Sequence, residues 1–220
     1  MMVSKEMIEM KIEVWSDYVC PFCYIGKRRL EEAIAQAGVG EDIEIVYKAY
    51  ELDPNSLADS DRSMVEVLAE KYNVSVDEAK AMTDNVEMQA ETVGLQYDFG
   101  KMTPANTFQA HRLAKLAEAK GLGEEATERL LKAYFIEGQK IGTRNILLEL
   151  AKEIGLAVDE VETMLDSDAY IEDVKKDIQE AGQIGVQGVP FFVIDRKYAI
   201  SGAQPTETFV DALEKAASEA

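Results

Sequence analysis

The sequence predicts an α/β fold in which a four-stranded mixed sheet, ordered β-α-β and then β-β-α, carries a large all-helical insertion. Three observations predict it. Alternating apolar residues flank a helical stretch near the start, strand-like residues return only near the end, and the long stretch between them has helical spacing. We therefore expect one domain made of residues 1–60 and 184–220, with residues 61–183 forming a helical insertion domain.

The first half of the predicted sheet lies within the first fifty residues. Apolar residues alternate with charged ones from Ile8 to Trp15, which predicts a strand. A helical pattern follows from Pro21 to about Gln36, and Gly38 is placed to end it. A second alternation at 43–49 completes a β-α-β unit. Its strands should be parallel, with a right-handed crossover between them.

The insertion and the second half of the sheet follow in order. Ser75 and Glu78 form a capping box typical of a helix start. Further helices are predicted at about 104–120, 124–139, 143–155, 158–165 and 167–181. The apolar run 188–195 predicts a buried strand, 198–200 a partner strand, and 206–217 a closing amphipathic helix. Helices are expected on both faces of the sheet.

Composition excludes several classes of partner. The net charge of −19 argues against nucleic acid and anionic membrane surfaces as ligands. Residues Met1 to Met10 lack a long apolar run and contain Glu6 and Glu9, so we expect no secretory signal there. No segment reaches the roughly 18 continuous apolar residues of a membrane span. These features predict a cytoplasmic protein.

Both cysteines of the chain, Cys20 and Cys23, lie at the predicted strand-to-helix junction. Residues three apart on a helix are neighbours, and their Cα atoms are close enough for a disulfide. Pro21 suits the first helical turn, where backbone N–H groups favour a thiolate at Cys20. Half of a zinc site is the alternative, but His111 is the single histidine, and structural zinc usually needs four ligands. A redox or catalytic pair is therefore favoured.

Three motifs carry a resemblance to a known family. They are Cys-Pro-Phe-Cys-Tyr-Ile-Gly-Lys-Arg-Arg at 20–29, Gly-Val-Pro-Phe-Phe-Val at 188–193 and Ile-Ser-Gly-Ala-Gln-Pro at 200–205. A C-x-x-C that opens the first helix and a Val-Pro that opens the third strand resemble the thioredoxin fold. The helical insertion is similar to that of the DsbA subclass. Within it, the motifs resemble the FrnE-like proteins, described as dithiol-disulfide isomerases of polyketide biosynthesis.

The resemblance implies a thiol–disulfide oxidoreductase or isomerase. Cys20 would be the exposed attacking thiol and Cys23 the shielded resolving thiol. Pro190 would be a cis-proline facing the pair, leaving the Val189 backbone free to bind an extended substrate; an ordinary strand-edge proline is the alternative. No cofactor is implied beyond the redox-active disulfide, with glutathione or another thiol as a possible electron donor. The partner would be a disulfide-containing protein or small molecule, and the oligomeric state stays open.

Other residues are weaker candidates for the site. Pro21, Phe22 and Tyr24 could contact apolar substrate groups. The remaining candidates for substrate binding are Asn106, His111, Arg112 and Gln204. The histidine is more commonly a packed or surface residue, and the glutamine rests on a likeness to the glutathione-carboxylate site of kappa-class glutathione transferases. Lys27, Arg28 and Arg29 form either a solvated helix face or a source of positive charge near Cys20.

Two positions depart from the wider family. Thioredoxin and DsbA carry an acidic residue six positions before the first cysteine, where this chain has Val14. The proton of the resolving thiol must then go to water, Asp17 or another group. The dipeptide between the cysteines is Pro-Phe instead of the Pro-His of DsbA, so a donor to the thiolate is missing. We predict a reduction potential within roughly −270 to −120 mV, nearer the thioredoxin end.

Two rival functions share these features. Kappa-class glutathione transferases and 2-hydroxychromene-2-carboxylate isomerases have the same architecture, but their reactive position is usually a serine without a resolving partner. The presence of both Cys20 and Cys23 argues against that class. A non-enzymatic peptide-binding or chaperone protein could use the groove of the helical insertion and the Val189 edge equally well.

Overall fold

The computed structural model describes residues 10–39 and 43–219. The predicted start of the first strand at Ile8, and nearly all of the Met1–Met10 segment, lie outside these residues. The elements are β1 (Met10–Ser16), α1 (Pro21–Ala37), β2 (Ile43–Ala49), α2 (Met64–Tyr72), α3 (Val76–Glu91), α4 (Phe108–Ala119), α5 (Gly123–Phe135), α6 (Arg144–Glu153), α7 (Val158–Leu165), α8 (Ile171–Gln183), β3 (Phe191–Ile194), β4 (Tyr198–Ser201) and α9 (Thr206–Ser218).

The four strands form one mixed sheet in the order β2-β1-β3-β4. Strands β1 and β2 are parallel, whereas β3 is antiparallel to both β1 and β4. Helix α1 connects the parallel pair, as a β-α-β unit requires, and α2 to α8 lie between β2 and β3 in the chain. The predicted α/β class, with its β-α-β and β-β-α halves around a helical insertion, is confirmed.

The two faces of the sheet are covered by different parts of the chain. On one face, Ile12, Val14 and Phe192 pack with residues of α1 and α9. On the other face, Trp15 packs with Ala181 near the end of α8, and the Trp15 indole N–H donates to the Asp177 carbonyl at 3.0 Å. The helical insertion therefore supplies one of the two layers that sandwich the sheet.

The main apolar core of the insertion also includes residues from the start of the chain. Tyr18, Tyr24 and Ile25, from the segment before β2, are buried together with the leucines and aromatics of α4 and α5. One side of α1 thus faces the sheet and the other faces the insertion. The domain boundaries at 60/61 and 183/184 stay a prediction, and these contacts join the two predicted domains through a shared core.

Several helix and strand ends differ from prediction. Helix α4 begins at Phe108 instead of about 104, because Asn106 is held by the Leu57 carbonyl and its side chain accepts the Phe108 N–H. Helix α8 begins after Tyr170, which has a left-handed φ of 62°. Helix α5 ends at Phe135 instead of about 139, and β3 pairs only over Phe191–Ile194. The α4 start depends on the long-range hydrogen bond between Asn106 and Leu57, which local patterns do not show.

Within the part of the chain that the structure describes, no helix is long and apolar enough to cross a membrane.

Candidate active site

The turn after β1 presents the two cysteines at the start of α1. Cys20 is the N-cap residue in an extended conformation, and Pro21 is the first residue of the helix. The Cys20 N–H donates to the Asp17 carbonyl at 3.1 Å, and the Cys23 N–H donates to the Cys20 carbonyl at 3.0 Å. Both cysteines are free thiols. The N-terminal N–H groups, at the positive end of the helix dipole, therefore lie at the Cys20 end of α1.

The Cys20 thiol lies against the loop that precedes β3. Its Sγ donates to the Val189 carbonyl at 3.4 Å, and the Val189–Pro190 peptide bond is cis. The predicted exposure of Cys20 is wrong for this structure, because the residue is only 4% exposed beneath that carbonyl. A substrate must displace the contact with Val189 to reach the sulfur.

Cys23 lies deeper, one helical turn along α1. Burial raises the pKa of its thiol well above the ordinary value, and the adjacent Cys20 raises it further. The Ser16 hydroxyl and the Asp17 N–H, whose nitrogen is 3.5 Å from the Cys23 Sγ, lower the pKa in part. A thiol with a raised pKa is protonated at neutral pH. Cys23 is therefore held as a neutral thiol behind Cys20.

A buried pair of polar side chains adjoins the cysteine turn. The Asp17 carboxylate accepts the Leu52 N–H at 2.8 Å, and its other oxygen is 3.3 Å from Nε2 of His111. The same Nε2 is 3.0 Å from the Tyr50 carbonyl. Asp17 and His111 are 0% and 3% exposed. The structure therefore brings His111, a sequence candidate, to the residue that contacts both cysteines.

Two close contacts hold the helix start from either side. The Tyr97 hydroxyl, from the segment after α3, donates to the Pro21 carbonyl at 2.7 Å, and burial raises the pKa of this tyrosine. On the opposite side, a Cβ built on Gly26 would lie 3.0 Å from Pro190 Cγ and 3.1 Å from Phe192 Cζ. A side chain at position 26 would push against Pro190 and Phe192, so the glycine lets α1 approach the Pro190 loop this closely.

The aromatic candidates next to the cysteines separate into two roles. Phe22 is 37% exposed on the first turn of α1, which leaves its ring available to a substrate. Tyr24 is buried, and its hydroxyl donates to Glu128 on α5 at 2.6 Å. The predicted substrate contact of Tyr24 is therefore not supported, because its side chain joins α1 to the insertion.

Three further candidates for substrate binding form hydrogen bonds away from the cysteine turn. Arg112 donates to the carbonyls of Ala169 and Ser167 in the connection between α7 and α8. Asn106 donates to the Pro54 carbonyl at 3.0 Å, and Gln204 donates to the Ser201 carbonyl at 2.8 Å. Each side chain stabilises a loop, and none of these contacts involves the cysteine turn.

The basic residues after Cys23 are also paired. Lys27 and Arg28 form ion pairs with Glu31 and Glu128. Arg29 donates to the Ala203 carbonyl. These contacts favour a structural role over a source of positive charge at Cys20.

Sequence reasoning does not identify Tyr97, Tyr50 or Leu52 as site residues. Tyr97 lies in a non-helical segment without periodicity, and Tyr50 and Leu52 contribute only backbone groups. Asp17 is named only as a possible proton acceptor. Among the described residues, no group of three or more His, Cys, Asp or Glu side chains is arranged to hold a metal ion.

A C-x-x-C pair at the start of the first helix, set against a cis-proline loop in a β2-β1-β3-β4 sheet, defines the thioredoxin class of redox proteins. The chain belongs to the family of the DSBA-like thioredoxin domain, which matches residues 11–214. It is 38% identical to a probable DsbA oxidoreductase, SCO1869 of Streptomyces coelicolor. That crystal structure superposes with a TM-score of 0.90 over 96% of this chain and 91% of the other.

Two more distant structures share the fold. A 2-hydroxychromene-2-carboxylate isomerase is 16% identical, with a TM-score of 0.70 over 95% of this chain and 97% of the other. The cytosolic disulfide reductase DsbM of Pseudomonas aeruginosa, determined with GSH, is 18% identical, with a TM-score of 0.63 over 93% and 98%. At these identities the likeness concerns the fold alone.

Proposed function

We propose that this chain is a thiol–disulfide oxidoreductase or isomerase of the FrnE-like group, in which Cys20 attacks and Cys23 resolves. The observation that carries the proposal is the asymmetry of the two thiols. Cys20 caps the start of α1 and faces the Val189–Pro190 loop, whereas Cys23 is buried and has a raised pKa. Membership in the DsbA-like family supports the same reaction class.

The reaction takes place in two exchanges. The Cys20 thiolate attacks one sulfur of a substrate disulfide, forms a mixed disulfide and releases the other sulfur as a thiolate, which takes a proton from water. The Cys23 thiol then gives its proton to water and attacks Cys20 Sγ, which releases the second substrate thiolate. The substrate gains two electrons, and the chain retains a Cys20–Cys23 disulfide. If Cys23 does not attack, the released substrate thiolate can attack a second disulfide of the substrate and free a different thiolate. That thiolate attacks the substrate sulfur of the mixed disulfide and releases Cys20, so the substrate is isomerised with no net change in oxidation state.

The loop before β3 offers a place for the substrate backbone. The Val189 N–H finds no acceptor within residues 10–39 and 43–219, and its carbonyl is bound only by the Cys20 thiol. An extended substrate segment can pair with both groups as an added strand, and in doing so it displaces the carbonyl from Cys20. Pro21 and the exposed Phe22 ring, which follow Cys20 on the first turn of α1, are assigned to contact apolar substrate groups.

A second thiol must return the disulfide to the reduced state. We assign this step to glutathione or another small thiol in the cytoplasm, with no bound cofactor. A protein that shares the fold, the cytosolic disulfide reductase DsbM, was determined with GSH, and this is the reason for testing glutathione first. Subcellular fractionation and titration of the disulfide against glutathione test the compartment and the donor separately.

Two cysteine variants test the mechanism. Cys20→Ser is expected to abolish the reduction of insulin disulfides, because the attacking sulfur is lost. Cys23→Ser is expected to accumulate mixed disulfides that mass spectrometry of tryptic peptides locates at Cys20. The chain has only two cysteines, so each adduct has one possible site in the variant. The trapped species also shows whether the substrate is a protein or a small molecule.

The same variants separate the rival functions. If the chain were a glutathione-dependent isomerase, Cys23→Ser would retain the isomerase activity of the parent, because that reaction needs no resolving thiol. A peptide-binding protein would bind unfolded substrate equally well in both variants and in the parent. If both variants reduce insulin at the parent rate, the thiol mechanism is wrong.

A further inference from the structure

Asp17 contacts both cysteines through its backbone. Its N–H donates to the Cys23 sulfur, and its carbonyl accepts the Cys20 N–H at 3.1 Å. The position of this one peptide segment therefore fixes the turn between β1 and α1. A displacement of the Asp17 side chain therefore affects groups that bind the Cys23 sulfur and the Cys20 backbone.

The Asp17 side chain is held by groups from two other parts of the chain. One carboxylate oxygen accepts the Leu52 N–H, in the loop after β2, and the other lies next to His111 on α4. Both neighbours of the His111 Nε2, the Asp17 oxygen and the Tyr50 carbonyl, are acceptors. Nε2 must therefore carry a hydrogen in order to bind them. The imidazole is a donor that ties α4 to the cysteine turn.

Other titratable groups surround this pair. The Tyr18 ring lies 4.7 Å from the His111 ring between centroids, and burial raises the pKa of Tyr18. Burial also raises the pKa of Glu51, which Asp17 raises further and His111 lowers. Cys23 lies on the remaining side, against the Asp17 N–H. The pair is thus enclosed, so its charges are weakly screened by solvent.

We propose that Asp17 and His111 are positioning residues for the Cys20–Cys23 couple. His111 holds the Asp17 carboxylate, and the pair sets how readily the disulfide is reduced. This inference rests on the proposed function, since it concerns the energetics of the same two thiols. It links α4 of the helical insertion to the redox centre through the buried hydrogen bond between His111 and Asp17.

The direction of the effect follows from charge. Only the reduced state can carry a thiolate, and a buried carboxylate beside the cysteine turn makes negative charge on sulfur less stable. Removing the Asp17 charge should therefore favour the reduced state. Removing His111 should do the opposite, because the carboxylate loses its imidazole donor while its charge remains beside the cysteine turn. If His111 acts through Asp17, its removal has no effect once Asp17 is neutral.

Titration of the disulfide with reduced and oxidised glutathione at pH 7.5 tests this proposal. Asp17→Asn is expected to shift the equilibrium constant roughly three- to tenfold toward the dithiol. His111→Leu is expected to shift it about threefold toward the disulfide. His111→Gln, whose side-chain amide can replace the Nε2 donor, should restore the parent value. The double variant Asp17→Asn/His111→Leu should match Asp17→Asn alone.

The control is Asp177→Asn, the same substitution at a buried aspartate that makes no contact with the cysteine turn. It should leave the equilibrium constant unchanged. The proposal is overturned if Asp17→Asn has no effect, if the two single shifts add in the double variant, or if the control shifts equally. Should His111→Leu fail to fold, the comparison of Asp17→Asn with the control Asp177→Asn still tests the proposal. A parent chain that forms no Cys20–Cys23 disulfide would instead overturn the proposed function.

Discussion

Asp17 and Asp177 occupy similar environments and differ in what they connect. Each is buried, and each accepts a backbone N–H near the end of β2, from Leu52 and Ala49 respectively. Helix α4 supplies a nitrogen partner to both: His111 to Asp17, and Lys115, one turn later, to Asp177 at 2.8 Å. Asp177 belongs to α8, however, whereas Asp17 belongs to the cysteine turn.

The surroundings of Asp177 form a charged cluster on the sheet face that α8 covers. Its other members are Glu13, Lys48, Glu180 and Arg196. Burial alone lowers the pKa of Lys48, but the carboxylates around it raise the pKa above the ordinary value. A buried aspartate that binds a backbone N–H near β2 and a nitrogen of α4 can therefore have two different roles. Beside α8 it attaches a helix to the sheet, and beside the thiols it can adjust a reaction.

The largest effect that tests this contrast is expected at Asp177. Asp177→Asn should lower the free energy of unfolding by roughly 3 kcal/mol, because Lys115 and Lys48 lose a buried counter-charge. Urea denaturation measures the loss. Asp173→Asn, at an exposed position of the same helix, should change it by less than about 0.5 kcal/mol. Equal losses at the two sites would mean that the charged cluster does not attach α8.

An intermediate effect is expected at Gly26, where the active-site side relies on close packing. Gly26→Ala places a methyl group about 3 Å from Pro190 and Phe192, and should cost about 1 kcal/mol of stability. Insulin reduction should fall several-fold, because α1 moves away from the Pro190 loop. Gly182→Ala, on α8 with no atom within 4 Å, is the matched control and should be neutral or stabilising. Parent activity in Gly26→Ala would show that this approach is not needed.

The smallest effect is expected at Glu51, on the Asp17 side. Burial raises the pKa of Glu51 in the folded state above the ordinary value of 4.5. The group therefore favours the folded state below pH 4.5, and this contribution is lost as the pH rises through the pKa of the folded state. Glu51→Gln should therefore stabilise the chain at pH 7, by less than about 1 kcal/mol because solvent screens the half-buried carboxyl. The gain should vanish near pH 4.

Denaturation of Glu51→Gln at both pH values, beside the exposed Glu214→Gln, measures this difference. A gain that persists at pH 4, or one that Glu214→Gln reproduces, would contradict an origin in the raised pKa.

Much of the fold could be predicted because its signals are local. The alternation through Ile12 and Val14, the proline after Cys20 and the glycine at 38 each determine structure within a few residues of themselves. The position of the cysteines at a helix start could be predicted for the same reason. Helices on both faces of the sheet were expected, but the assignment of α8 to one face could not be predicted, because it depends on contacts such as that of Trp15 with Asp177.

The site residues were harder to predict because neighbours on a helix point in different directions. His111 and Arg112 are adjacent, yet one reaches the cysteine turn and the other reaches the connection between α7 and α8. Tyr24 follows Cys23 directly and turns toward α5 instead of the substrate side. The pairing of Asp17 with His111 joins residues 94 positions apart, so no local pattern indicates it.

Trp15, whose indole donates a hydrogen bond to α8, is also an intrinsic fluorescence probe of the contact between α8 and the sheet. The chain contains one tryptophan, so its fluorescence has a single source. Its indole lies between the sheet and α8, with the Lys48 ammonium 5.4 Å from the ring centroid. Separation of α8 from the sheet would expose the indole to water and shift its emission to longer wavelength. Docking of the insertion can therefore be followed by fluorescence during folding or turnover.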